Sequence, residues 1–214
     1  MRDWSKIDRY YNELLGDIYP QPPDEGHTAM AQEVVNRWVS LLTTCHSVLD
    51  VGCGEGFMQP MFEAYGITYT GIALGEDIVK AKEAGRNVHW MDFNFLDFPD
   101  KSFDLVCSRH SLEHSPFPLI SLMEFQRVSV AWLLLILPTP KYFMWGGRNH
   151  YGMMSASQAR FLLERAGWHL LWEDMSEERE FRFMCQKYDR IALLNDSTEE
   201  YERKDNNADS DSGE

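Results

Sequence analysis

Apolar positions change their period several times along this chain, and each change marks an element. Near the start, Trp4, Ile7, Tyr10, Tyr11, Leu14 and Leu15 recur at three- and four-residue intervals, which predicts a short amphipathic helix between Met1 and Gly16. The stretch Tyr19-Pro-Gln-Pro-Pro-Asp-Glu-Gly26 follows. It reads as a loop, because each proline lacks an N–H and disfavours helix in the residue before it. Met30, Val34, Trp38 and Leu41 then share one face of a second helix, with Thr28 as its expected cap.

From Ser47 the texture shortens. Ser47–Val51, Thr68–Ile72, Asn87–Met91 and Phe103–Cys107 read as strands, and Ala131–Leu137 is a strand apolar on both faces. Between them, Phe57–Tyr65, Glu76–Ala84 and Leu119–Val128 carry helical spacing. Ser155 is placed to cap another helix through Ala159, Leu162, Leu163 and Ala166, which Gly167 stops. Trp168–Glu173 and Phe181–Lys187 alternate like a hairpin at the sheet edge. Strands alternating with helices at this spacing predict an α/β fold: a Rossmann-like open sheet, mostly parallel with an antiparallel C-terminal hairpin edge, and helices on both faces.

Composition changes this picture at the ends. Residues 195–214 hold eight acids against two bases, which is −6 of the formal −14 carried by the 214 residues. With almost nothing apolar to bury, that segment is expected to be a disordered acidic tail. Residues 1–46 are expected to form a helical cap or lid, and residues 47–194 the α/β domain. No apolar run approaches the ~20 residues of a membrane-spanning helix, and the polar start Met-Arg-Asp-Trp-Ser-Lys is unlike a signal peptide. These features predict a cytoplasmic protein that does not enter a membrane. The negative balance argues against nucleic acid as partner. Cys45, Cys53, Cys107 and Cys185 lie far apart without metal-ligand spacing, so free thiols and no metal are expected.

The candidate chemistry sits where the first strand ends. Val48-Leu-Asp-Val-Gly-Cys-Gly-Glu-Gly56 runs a strand into closely spaced glycines and then a helix. Glycine lacks a Cβ and tolerates positive φ, so backbone can approach a ligand closely there. The third glycine comes one residue too early for a dinucleotide fingerprint, which tilts the reading away from a nicotinamide cofactor.

Leu49-Asp-Val-Gly-Cys-Gly-Glu-Gly56 resembles the first motif of class I S-adenosylmethionine-dependent methyltransferases. The resemblance continues in register through Phe98-Pro-Asp-Lys-Ser-Phe-Asp-Leu-Val106, Ser111-Leu-Glu-His114 and Leu162-Leu-Glu-Arg-Ala-Gly-Trp168. It implies S-adenosylmethionine as cofactor, with Asp50, Gly52, Cys53 and Gly54 lining its methionine end. It also implies Asp92, with Phe93 beside it, at the adenine, and Ser108 and Arg109, just past the fourth strand, near the methionine moiety. One departure stands out. The family usually places an acid at the end of the second strand to hold the ribose hydroxyls, and here Ala73, followed by Leu74, stands in its place. Glu76 or Asp77 at the next helix start, water or backbone must then replace that acceptor, or cofactor binding is weak.

Methyl transfer from a sulfonium relies mainly on positioning, and a base is needed only when the acceptor must lose a proton. His110 is the candidate base, and His114 reads as a structural histidine. Trp145, Asn149, His150 and Tyr151, after the fifth strand, are candidates to shape the acceptor pocket, and Tyr10, Tyr11 and Tyr19 to belong to a lid. Two function classes follow: a methyltransferase acting on a small molecule, or a degenerate cofactor-binding module that regulates a partner.

Overall fold

The computed structural model describes residues 4–20, 24–143, 147–176 and 178–188. The expected acidic tail and Trp145 lie outside the described residues. Seven strands form one sheet in the order β3-β2-β1-β4-β5-β7-β6. They are β1 (Ser47–Val51), β2 (Thr68–Ala73), β3 (Val88–Trp90), β4 (Phe103–Arg109), β5 (Ser129–Pro138), β6 (Trp168–Asp174) and β7 (Glu180–Lys187). The first five pair in parallel, and β7 runs antiparallel to both β5 and β6. The C-terminal hairpin thus inserts its second strand beside β5 and leaves its first at the edge.

Period-two alternation along the central strands explains the two cores. Val48, Leu105, Cys107, Leu134 and Ile136 face one layer. There they meet α2 (Glu25–Trp38), α3 (Gln59–Glu63) and α4 (Asp77–Glu83) through Ala31, Val34, Phe62, Ile78 and Ala81. Leu49, Val51, Val106, Leu133, Leu135 and Leu137 face the other layer. They bury Leu122 and Phe125 of α5 (Pro118–Val128) and, beyond the four-residue α6 (Pro140–Phe143), Ala159 and Leu163 of α7 (Ala156–Arg165). A sheet covered on both faces needs strands apolar on both, which is how β5 reads. All four cysteines are buried free thiols. No helix among the described residues is long and apolar enough to cross a membrane.

The N-terminal helix α1 (Ser5–Leu15) buries none of its residues fully, and Trp4, Ile7 and Tyr10 are exposed. Its inner edge instead lies across the C-terminal ends of the parallel strands. Two sequence expectations need correction. Asp24, not Thr28, caps α2: its carboxylate accepts from the His27 amide at 2.8 Å, and Thr28 sits inside the first turn with its hydroxyl on the Asp24 carbonyl. A carboxylate at the positive helix end is the stronger acceptor, which is why the helix starts earlier than its apolar stripe. Ser108 and Arg109 are the last residues of β4 rather than the start of a loop, because β5 is long enough to pair with them.

Ser155 caps α7 as expected, in a reciprocal box with Gln158. Ser155→Ala should therefore cost about 1 kcal/mol in urea unfolding. Ser157→Ala, which removes no cap, should leave the midpoint nearly unchanged.

Candidate functional site

Open parallel sheets bind ligands where the chain reverses direction, outside the carboxyl ends of the strands. In this molecule that point lies between β1 and β4. The turn after β1 puts Gly52, Gly54 and Gly56 at φ of 70°, 53° and 70°, the left-handed region that suits glycine. A side chain on Gly52 would collide with the Ser111 hydroxyl, which sits 2.9 Å from the Val51 carbonyl. The amides of Gly52 and Cys53 both bond to the Ile72 carbonyl at the end of β2. Turn, second strand and the segment after β4 are thus locked together by backbone contacts.

A cavity of about 320 Å³ opens beside this turn, within the range of small-molecule sites. Gly52, Cys53 and Gly54 form one wall. Ala73, Leu74 and Asp77 follow at the ends of β2 and the start of α4, and Asp92 and Phe93 at the loop after β3. Arg109, His110, Ser111 and His114 line the side reached from β4. Leu14, Leu15, Ile18, Tyr19 and His27 close it from the N-terminal segment, and Asn149 and Tyr151 from the loop after β5.

Several sequence candidates fall elsewhere. Asp50 is buried under the turn, where it accepts a 2.7 Å hydrogen bond from the Tyr69 hydroxyl, and burial pushes its carboxyl up to about 6. It does not reach the cavity wall, because the alternation that points Leu49 and Val51 one way points Asp50 into the opposite layer. Ser108 is fully buried within β4 and also lies off the cavity. His150 stands one layer back, its ring 4.9 Å from that of His114. Of the two acids weighed as substitutes at Ala73, Asp77 lines the cavity and Glu76 does not.

Asp92 is tied from two sides. One oxygen accepts from the backbone and side chain of Asn94, each at 2.9 Å, and the other accepts a short hydrogen bond from the Tyr11 hydroxyl. Asn94 also donates to the Tyr11 oxygen at 2.8 Å, and its own carbonyl accepts from Ser115 and Ser121. The N-terminal segment is fastened at further points. Tyr151 donates to Asp17 at 2.5 Å, and the His27 and His110 rings meet edge to face at 5.7 Å.

The residue that sequence reasoning missed is Glu180. It is 0 % exposed, and it lies 2.5 Å from Arg109, 3.0 Å from His110 and 3.2 Å from Arg182. Strand register explains the meeting. Arg109 stands opposite Ile136 on β5, Ile136 stands opposite Arg182 on β7, and Glu180 is two residues along. Arg182, itself buried, also reaches Glu33 of α2 at 2.7 Å. Burial works against the Glu180 anion, but His110, Arg109 and Arg182 outweigh it and hold the carboxyl down at about 2. Burial together with the Arg109 charge lowers His110, against the pull of Glu180. His110 also has a positive φ of 49°, held by its amide bond to the Ile136 carbonyl.

Comparison with known proteins agrees with this architecture. Residues 49–130 match a family model described as a methyltransferase domain. A ubiquinone biosynthesis O-methyltransferase of Idiomarina loihiensis is 35% identical over 79 residues, which is 33% of this chain and 32% of that protein. The corresponding Coxiella burnetii protein is 29% identical over 103 residues, 45% of this chain and 41% of its own. The chain thus matches well under half the length of these curated relatives. Among solved structures, a protein of Pyrococcus horikoshii superposes with a TM-score of 0.67 at 17% identity, covering 79% of this chain and 95% of that one. A SAM-dependent methyltransferase of Aquifex aeolicus gives 0.62 at 21% identity, covering 88% and 100%. At these identities the superpositions show a shared fold.

Glu180 yields a prediction about pH. Its folded-state value near 2 is below the ordinary 4.5, so the folded state holds fewer protons than the unfolded chain between those limits. Its stabilisation, roughly 3 kcal/mol, is complete above pH ~4.5 and fades as the pH falls through ~2. Glu180→Gln should lower the thermal midpoint at neutral pH, because Arg109 and Arg182 lose their buried counter-charge. The variant should also lose less stability than the wild type between about pH 4.5 and pH 3. Parallel midpoint-versus-pH curves for the two proteins would contradict the assignment.

Proposed function

We propose that this chain is a class I S-adenosylmethionine-dependent methyltransferase, on the match of residues 49–130 to a methyltransferase-domain family model, and that it binds S-adenosylmethionine along the described cavity and methylates a small-molecule acceptor. The observation that carries the reading is the continuity of the cavity from the glycine turn to Asp92. Its wall chemistry fits a nucleoside with an amino-acid arm. At one end, Phe93 offers an apolar face and Asp92 an anionic acceptor for an exocyclic amino group. Midway, Asp77 supplies the acid that Ala73 lacks for sugar hydroxyls. At the other end, left-handed glycines let backbone come close, and Arg109 offers positive charge for a carboxylate.

The cofactor, when bound, supplies a methyl group activated on a sulfonium. The residues of the chain do the rest. The turn and Asp92 fix the position of the donor, and positioning accounts for most of the acceleration in such a displacement. Leu14, Leu15, Ile18 and Tyr19 close the cavity, exclude water and favour an acceptor with an apolar body. His110 is the base for an acceptor that must lose a proton. Burial keeps it neutral at physiological pH, and Glu180 orients the ring and stabilises the imidazolium it becomes. The names of the curated relatives favour oxygen as the accepting atom.

A second reading, a non-catalytic cofactor-binding module, draws on two observations: Ala73 in place of the acid, and the Tyr11 hydroxyl already on Asp92. Turnover of methyl-labelled cofactor with hydroxylated small molecules separates the two readings.

Calorimetry should show one S-adenosylmethionine or demethylated product bound per chain. Asp77→Asn should weaken binding by about ten- to a hundredfold, the loss of one to two charged hydrogen bonds, and Glu76→Gln should not. Gly54→Val should abolish binding. Absence of binding at millimolar ligand, or unchanged affinity in Gly54→Val, would overturn the proposal.

A further inference from the structure

The loop after β5 meets the short 3-10 helix Leu112–His114 at a cluster that neither segment reveals in sequence. Glu113, His114 and His150 each present one ligand atom, and these atoms lie within 4.8 Å of one another. Glu113 is 2 % exposed, and its Oε2 has no hydrogen-bond partner. Asn149, also buried, presents a side-chain Oδ1 that is likewise without one. A buried carboxyl or amide oxygen left without a hydrogen-bond partner is costly, so two within one loop junction require an explanation.

Backbone packing builds the junction. The Gly152 amide donates to the Glu113 carbonyl at 2.7 Å. A Cβ on Gly152 would press on the Ser115 and Leu112 carbonyls at 2.8 and 3.0 Å, so only glycine allows this approach. The Asn149 carbonyl lies 3.3 Å from His114 Nδ1, which leaves Nε2 facing Glu113 Oε1 at 3.8 Å. A carbonyl on the far nitrogen of an imidazole is the usual way in which a metal-binding histidine is oriented.

We propose that Glu113, His114 and His150 form a divalent-cation site beside the acceptor end of the cavity, with Asn149 Oδ1 as a fourth donor. Two imidazoles with one carboxylate are the donor set of a zinc-type first-row ion, whereas Mg²⁺ and Ca²⁺ favour oxygen throughout. Bonds of about 2.0–2.2 Å at tetrahedral angles set ligand atoms roughly 3.4 Å apart, so atoms now within 4.8 Å of one another close by about an ångström or more as the ion enters. A bound cation favours the ionised form of Glu113, which burial disfavours. His114 and Asn149 also line the cavity, so a coordination position opens towards the acceptor. This placement, though not the site itself, rests on the methyltransferase reading. An oxygen-bearing acceptor is the ligand class that would fill that position.

The test uses the full chain, stripped of metal and then dialysed against Zn²⁺ or Co²⁺ without any cofactor. Elemental analysis should find about one metal per chain, and Co²⁺ should give the visible d–d absorption of a low-coordinate nitrogen and oxygen site. The thermal midpoint should rise with added metal. His150→Ala and Glu113→Gln should each lower metal affinity by at least about tenfold and abolish the Co²⁺ spectrum. Circular dichroism of both variants establishes that they are folded, and His150→Ala changes only the partly exposed loop should Glu113→Gln fail to fold. Metal uptake by the two variants equal to that of the wild type would overturn the site, as would no uptake by the wild type at micromolar free Zn²⁺. S-adenosylmethionine binding, measured separately by calorimetry, reports on the methyltransferase reading, so either can fail without the other.

Discussion

The contact between Gly52 and Ser111 is the constraint on which the rest of the site depends. Gly52 has no side chain, so the turn after β1 can settle against the Ser111 hydroxyl and the Val51 carbonyl. That approach fixes where the glycine turn faces the cavity. It also fixes where the chain leaves β4, and so where Arg109, His110, Glu113 and His114 stand. A Cβ at this position would push the two strand ends apart, and the wall of the cavity would separate at its middle. The positive φ of Gly52 adds a second reason for glycine there.

Charge is organised around the same strand end. Glu180 comes from the antiparallel hairpin that completes an otherwise parallel sheet. It places an anion at the ends of both β4 and β7. A carboxylate buried among two guanidinium groups and an imidazole is stable only as a set. Removing one partner leaves uncompensated charge in a low-dielectric interior, which costs more than the pair contributes when intact. The cluster therefore specifies one arrangement of strand ends as well as stabilising it.

The N-terminal segment is attached differently. Its helix α1 buries no residue fully, and what fastens the segment is polar and ring contact: Tyr11 to Asp92, Asp17 to Tyr151 and Arg148, the edge of His27 on His110, and the Tyr11 ring against Phe95 and Phe117. Polar contacts exchange for water at small net cost. The cover of the cavity is thus held by specificity of position rather than by a core of its own, in contrast to the two layers that sandwich the sheet.

The sequence by itself determined the layered α/β order, the strand-glycine-helix turn and the position of Asp92, because these are local. A period of two or 3.6, a glycine that tolerates positive φ and a capping serine at 155 act over a few residues and leave direct traces. It pointed to Asp77 only as one of two substitutes for the missing acid at Ala73, since which of two adjacent residues faces a cavity depends on how the helix start packs. Tertiary structure alone decided that Asp50 turns away from the cavity and that Asp24 rather than Thr28 starts α2. It alone brought Glu180 to Arg109 across 71 residues and His150 to Glu113 across the loop after β5. Those meetings depend on strand register and on the backbone approach at Gly152, which are long-range consequences of sheet order. No spacing along the chain encodes them.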